Sequence, residues 1–210
     1  MDDRAKAVVS SGYDAIADEF VGWSTKVVDP VRDRLFRKFV GLLGAGATVL
    51  DIGCGPGIPW TRMLADRFDV TGIDLSHRQI EAARREVPSA TFIEGDVSLA
   101  SFDEGSFDGA IAFYSIAHLP VDEHRPLFDR LARWLRPGGL LLTSVPVEAS
   151  AGWTGEWLGT TMFFGSLGAD AYREILRDLR FEPIAVEETT AEEPEGPTRF
   201  LWLFARRGPG

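Results

Sequence analysis

Sulfur, histidine and positive charge are scarce in this chain. Cys54 is the one cysteine among 210 residues, which excludes an internal disulfide and a metal site built from several thiolates. A reducing, cytoplasmic setting is the expectation that follows. Lys and Arg number 22 against 32 Asp and Glu, a net charge of -10, and no basic stripe relieves the repulsion this exerts on a phosphate backbone. Nucleic acid is not an expected partner. No apolar run approaches the ~20 residues that span a bilayer, and Met1-Asp-Asp-Arg-Ala-Lys6 leads into no apolar core of signal-peptide length. Neither a membrane partner nor export is expected.

What is present suits a globular protein. Hydrophobic residues make up 45% and charged residues 26%, close to the soluble average, and a chain of this length buries roughly 70% of its unfolded surface as one domain. Apolar residues at helical spacing over 5–20, broken near Ser10-Ser-Gly12, predict short helices with a bend. Asp29-Pro30 is a helix start, a capping carboxylate followed by proline at the first helical position, and Val31, Leu35, Phe39 and Leu42 continue it to Gly44. From Thr48 strands and helices alternate. Strands are predicted at 48–52, 69–74, 90–94, 107–113 and 139–145, with helices after Pro59, after Ser76 and around Leu127, Leu131 and Leu135, the last closed by Pro137-Gly-Gly139. Residues 148–168 break the pattern as an irregular insertion. A helix over 170–180 precedes strands at 183–187 and 199–205, joined by the acidic loop 192–197, too short for a crossover, so these two pair antiparallel. The expected architecture is α/β: a Rossmann-like, doubly wound, seven-stranded and mainly parallel sheet with an antiparallel last strand, plus N-terminal helices. Its division is 1–45 as N-terminal helices and lid, 46–147 as nucleotide-binding core, 148–168 as insertion, and 169–210 as helix and hairpin.

The segment Val49-Leu-Asp-Ile-Gly-Cys-Gly-Pro-Gly57 carries the chemistry. A strand runs into glycines that let bare backbone approach a ligand, and in open α/β sheets ligands bind beyond the carboxyl ends of the strands. Asp51, Asp74, Asp96 and Ser115 all fall at such ends. Asp74 lies about 20 residues past the loop, where a carboxylate accepts from ribose hydroxyls. A dinucleotide fingerprint would need glycine at position 58, which is Ile58, and this weighs against an NAD-type oxidoreductase.

The chain resembles the class I S-adenosylmethionine-dependent methyltransferases of the small-molecule type. The glycine motif is matched by Asp51-Ile-Gly-Cys-Gly-Pro-Gly57, the acidic motif by Gly72-Ile-Asp-Leu-Ser76, and the third by Glu94-Gly-Asp-Val97. Phe107-Asp-Gly-Ala-Ile-Ala-Phe113 and Arg136-Pro-Gly-Gly139 complete the series. The resemblance implies S-adenosylmethionine as cofactor, with Gly53, Gly55 and Gly57 beside its methionine part and ribose. It places Asp74 on the ribose hydroxyls, Asp96 on the adenine amino group and the Val97 amide at the ring. Asp51, Cys54, Leu75 and Tyr114 complete that set, and Tyr13, in a Tyr-Asp-x-Ile-Ala segment, closes over the methionine carboxylate, with a packing aromatic on the N-terminal helix as its alternative.

The acceptor is expected to be a small, partly apolar molecule, methylated on oxygen, nitrogen or carbon without a metal. Tyr114-Ser-Ile-Ala-His-Leu-Pro120 matches neither the Asn/Asp-Pro-Pro-Tyr segment of amino-methylating DNA enzymes nor the carboxylate-bearing segment of metal-dependent catechol-type enzymes. His118 is the candidate general base, with a packed loop histidine as its alternative; His77 and His124 read as solvated. Trp23, Trp153, Trp157, Met162, Phe163 and Phe164 are candidates for the acceptor pocket, with core packing as the alternative. The acidic residues of 187–195 read as a solvated loop. A protein that binds the cofactor without transferring methyl is the alternative function.

Overall fold

The structure is a computed structural model that describes residues 3–209; Met1, Asp2 and Gly210 lie outside the described residues. Three helices lead, α1 (Asp3–Ala15), α2 (Ala17–Ser24) and α3 (Pro30–Leu42). The alternating part follows as β1 (Thr48–Ile52), α4 (Trp60–Ala65), β2 (Asp69–Asp74), α5 (His77–Glu86), β3 (Thr91–Glu94) and β4 (Phe107–Ala112). After a 3-10 turn at Ile116–His118 come α6 (Val121–Trp134), β5 (Leu135–Pro146), β6 (Ser150–Trp157), β7 (Thr160–Ser166), α7 (Ala169–Asp178), β8 (Phe181–Glu193) and β9 (Gly196–Arg207). The seven-stranded sheet runs β3-β2-β1-β4-β5-β9-β8, and only β9 opposes its neighbours.

Strand order reverses between β1 and β4, which opens a crevice at their carboxyl ends. Alternating residues of the central strands fill two cores. Val49, Ile111, Leu142, Trp202 and Phe204 pack with Leu35, Phe36 and Phe39 of α3 on one face. On the other, Leu50, Ala110, Leu141, Leu201 and Leu203 meet Phe128 and Leu131 of α6 and Tyr172 of α7. Burial on both faces is why these strands read as continuous apolar runs, and each fully buried large side chain contributes about 1.5–3 kcal/mol.

Helix α3 starts as expected. Asp29 Oδ1 accepts from the Val31 and Arg32 amides at 3.0 Å each, while Oδ2 accepts from Tyr114 Oη and Trp202 Nε1 at 2.9 Å each. One buried carboxylate thus caps a helix and ties it to β4's loop and to β9. Ser76 caps α5 through the Gln79 amide, also as expected.

The structure corrects several boundaries. α1 runs unbroken through Gly12, where a Cβ would stand 2.9 Å from Met162 Cε, so the glycine admits a close contact instead of bending the helix; the break falls at Ile16. Residues 148–168 are not irregular: β6 and β7 form an antiparallel hairpin. Its two-residue turn holds Leu158 and Gly159 at φ 50° and 75°, the left-handed pair that matches strand twist. Helix α6 ends at Trp134, and Leu135 with Pro137-Gly-Gly139 already belongs to β5. The β8–β9 ladder extends to Glu193↔Gly196, so most of the presumed acidic loop is strand. His124 is buried, donating from Nε2 to the Leu119 carbonyl at 3.0 Å and accepting at Nδ1 from Tyr172 Oη at 2.7 Å. His77 is exposed beside Glu94, as read from the sequence.

Candidate active site

The three glycines of the loop after β1 do three different things. A Cβ on Gly53 would lie 2.3 Å from Ser115 Cβ; Ser115 is held there by its hydroxyl, which donates to the Ile52 carbonyl at 2.7 Å. Gly55, at φ 54°, would meet nothing nearer than Phe20 Cε1 at 3.5 Å and Gln79 Oε1 at 4.0 Å, and its backbone faces the crevice. Gly57, expected at the cofactor, is instead packed against Val87, Ala83 and Phe92 and does not line the cavity. The third glycine brings helix and strand together.

Carboxylates stand at the ends of β1, β2 and β3. Asp51 is buried and accepts from the Thr61 hydroxyl at 2.6 Å; burial, with the charge of Asp74, pushes its carboxyl up to about 7 against the opposing Thr61 bond. Asp74 accepts from the Gly55 and Ser76 amides at 2.9 Å each, so it ties the glycine loop to the second strand. Burial raises its carboxyl also, and those amides limit the rise. Asp96 differs. Burial pushes against ionisation, yet Lys6 Nζ at 2.6 Å and the Ser98 amide at 2.8 Å hold its carboxyl below the usual range. Lys6 also reaches Glu123 at 2.6 Å, so α1 is pinned over the end of β3. Lys6 gave no signal in the sequence, because a lone lysine in a helix pattern looks solvated.

Above the glycine loop α1, α2 and the β6–β7 hairpin form a roof. His118 Nδ1 lies 2.8 Å from the Phe163 carbonyl and Nε2 lies 2.9 Å from Tyr13 Oη. A carbonyl only accepts, so the proton sits on Nδ1 and Nε2 accepts from the tyrosine. Burial pushes the imidazole down to about 4 and raises the Tyr13 phenol, with help from the charges of Asp74 and Glu193. Trp23, Trp157 and Phe20 close beside Tyr13, with Trp23 and Trp157 ring centroids 4.8 Å apart. Trp153, 52% exposed, stacks on Phe164.

These elements enclose a cavity of about 1100 Å³. Tyr13, Trp23, Asp51, Gly53, Cys54, Gly55, Asp74, Leu75, Asp96, Val97, Tyr114, His118, Trp153, Trp157 and Phe164 all line it. Met162 and Phe163, expected in the pocket, do not; they are buried with Ala5, Val9 and Ile16 where α1 covers β7. Glu193 and Glu195, read as solvated loop, do line it, and Glu195 accepts from Trp23 Nε1 at 2.7 Å. The sequence signal was their position beside a turn, which does not say where the turn lies. Among the described residues no three His, Cys, Asp or Glu side chains gather as a metal site, and no helix is long and apolar enough to cross a membrane.

The family model described as a methyltransferase domain matches residues 49–139. The chain is 38% identical over 108 residues to the trans-aconitate 2-methyltransferase of Paracidovorax citrulli, a match spanning 50% of this chain and 40% of that protein. It is 32% identical over 211 residues to the 27-O-demethylrifamycin SV methyltransferase of Amycolatopsis mediterranei, covering 87% of this chain and 76% of that one. The chain belongs to the class I S-adenosylmethionine-dependent methyltransferases. A methyltransferase structure from Methanosarcina mazei superimposes with a TM-score of 0.72 at 19% identity, over 87% of this chain and 99% of that one, so the fold extends well beyond the matched domain. The residues present fit the family's cofactor: Gly55, at the cavity wall, leaves a bare cradle that a Cβ would enter. Asp74 and Asp96 stand at adjacent strand ends.

Proposed function

We propose that this chain transfers the methyl group of S-adenosylmethionine to a small, partly apolar molecule, in the cytoplasm and without nucleic acid as substrate. The observation that carries this is a single cavity lined both by the glycine loop with Asp74 and Asp96 and by the aromatic roof. Donor and acceptor share one chamber. A sulfonium methyl is already activated, so alignment and exclusion of water supply much of the catalysis, and no metal is required.

In this reading Asp74 accepts from the ribose hydroxyls, Asp96 and the Val97 amide hold the adenine, and Gly53, Cys54, Gly55, Leu75 and Tyr114 line the cofactor's path. Asp51 braces the loop through Thr61. Tyr13 covers the methionine end. His118 lines the chamber with both nitrogens engaged and with little affinity for a proton at neutral pH, which favours a positioning role, fixing the Tyr13 hydroxyl, over general base. Helices α1 and α2 and the β6–β7 hairpin form the chamber's roof.

Calorimetry and a labelled-methyl assay test the reading. S-adenosylhomocysteine should bind and NAD should not, and label should pass from S-adenosylmethionine to at least one member of a broad small-molecule panel. Tight binding with no transfer to any acceptor would remove the enzyme reading. Asp74→Ala should weaken S-adenosylhomocysteine binding by roughly 1–3 kcal/mol, the loss of a charge-assisted acceptor; an unchanged Kd would take Asp74 out of the site.

A further inference from the structure

We propose that the acceptor carries a positive charge, an amine protonated at neutral pH, held between the aromatic walls of the chamber with its ammonium towards Glu193. The proposal rests on the methyltransferase reading and adds the substrate's chemical class. The walls come from separate elements, Trp23 from α2, Trp153 and Trp157 from β6 and Phe164 from β7. Their ring faces attract cations, most strongly where water is excluded. Beside them the turn between β8 and β9 brings Glu193 and Glu195 to the same cavity.

Glu193 is partly buried, and its carboxylate accepts from the Thr198 hydroxyl at 2.9 Å. Burial and the neighbouring Glu195 raise its carboxyl, against the opposing Thr198 bond. The charge of Glu193 is also felt at the Tyr13 phenol, which lines the same cavity. Two of the cations on the lining are engaged by other groups. Lys6 is held by Asp96 and Glu123. Arg32 donates to Asp33 and to the Val27 carbonyl and lies over Trp60. Arg37 also lines the cavity from an exposed position on α3, and among the described residues no ion pair joins it to Glu193. A carboxylate with no cationic partner among the described residues, in one cavity with indole rings, suits an ammonium and repels a polycarboxylate.

The test uses three probes that share one ring system: tryptamine, N-acetyltryptamine and indole-3-acetate. Each is titrated by calorimetry into the full chain saturated with S-adenosylhomocysteine. Tryptamine should bind at least about tenfold more tightly than N-acetyltryptamine, and indole-3-acetate most weakly. Glu193→Gln should reduce the first preference to under about threefold while leaving the S-adenosylhomocysteine Kd unchanged. Trp153→Leu should weaken tryptamine and N-acetyltryptamine alike. Equal affinities, a preference for the carboxylate, or no binding by any probe overturns the proposal. So does a Glu193→Gln protein that loses S-adenosylhomocysteine as much as tryptamine, since the carboxylate would then serve the cofactor. Failure of S-adenosylhomocysteine to bind the unaltered chain would instead remove the methyltransferase reading itself.

Discussion

Gly53, Gly55 and Gly57 stand two apart in the sequence and lack a side chain for three physical reasons: room for Ser115, an open cradle, and contact with α5 and β3. Gly57→Ala should therefore cost about 1–3 kcal/mol of stability, from a left-handed φ of 75° and a Cβ placed 3.1 Å from Val87. S-adenosylhomocysteine affinity should stay within about twofold, as melting and calorimetry on one sample would show. Asp51 and His118 make opposite pH predictions for the cofactor-free protein. His118 titrates near 4 when folded and near 6.5 when unfolded, so between these the unfolded chain binds more protons and stability rises with pH. Asp51 titrates near 7 when folded and near 3.9 when unfolded, so over the same window stability falls as pH rises. Relative to the unaltered protein, Asp51→Asn should remove a fall, and His118→Asn a rise, each on the order of 3–4 kcal/mol between pH 4 and 7 in urea melts. Asp51, Asp74 and Asp96 were legible as strand-end carboxylates because their spacing follows the βαβ repeat. Lys6 was not, since nothing local distinguishes a lysine that will pair with Asp96 across the fold from one that faces water.

The hairpin β6–β7 shows why one element escaped the sequence while its neighbours did not. β1 and β4 are apolar on both faces and announce themselves, whereas β6 mixes Gly152, Trp153 and Gly155 with Glu156, and a Cβ on Gly155 would lie 2.1 Å from the Trp153 ring. Packing of a large ring over a glycine suppresses the polar–apolar alternation that marks a strand. The same contact logic governs α1. Gly12 sits where α1 meets β7, and a Cβ there would lie 2.9 Å from Met162 Cε and 3.0 Å from the Thr161 carbonyl. Gly12→Val should lift α1 off the hairpin at a cost of about 1–3 kcal/mol, read as faster hydrogen exchange in α1. Adding Met162→Ala should recover part of that loss, because the flexible methyl end is one of the two obstacles.

Across the whole molecule, segments far apart in sequence meet at the chamber's mouth. The Val28 and Glu192 amides exchange hydrogen bonds with each other's carbonyls at 3.0 Å each, and Trp23 donates to Glu195. Trp23→Phe should loosen this clasp, visible as faster exchange at the Val28 and Glu192 amides, with the core strands unchanged. The parallel sheet and its strand order were legible because they follow from alternating segments and a short final connection. The clasp was not, because two polar turns give no sign that they will touch. β9 adds a temporal constraint. It lies between β5 and β8, with Leu201 to Ala205 fully buried, yet the ribosome makes it after every other strand of the sheet. At roughly 5–20 residues per second, a growing chain holds the whole glycine loop while the edge of β5 still lacks its neighbour and Glu195 and Phe200 do not exist. Until β9 is made and leaves the ribosome the nascent chain displays that bare edge, so the pace of translation through β9 sets how long it stays open to chaperones and to other exposed strands.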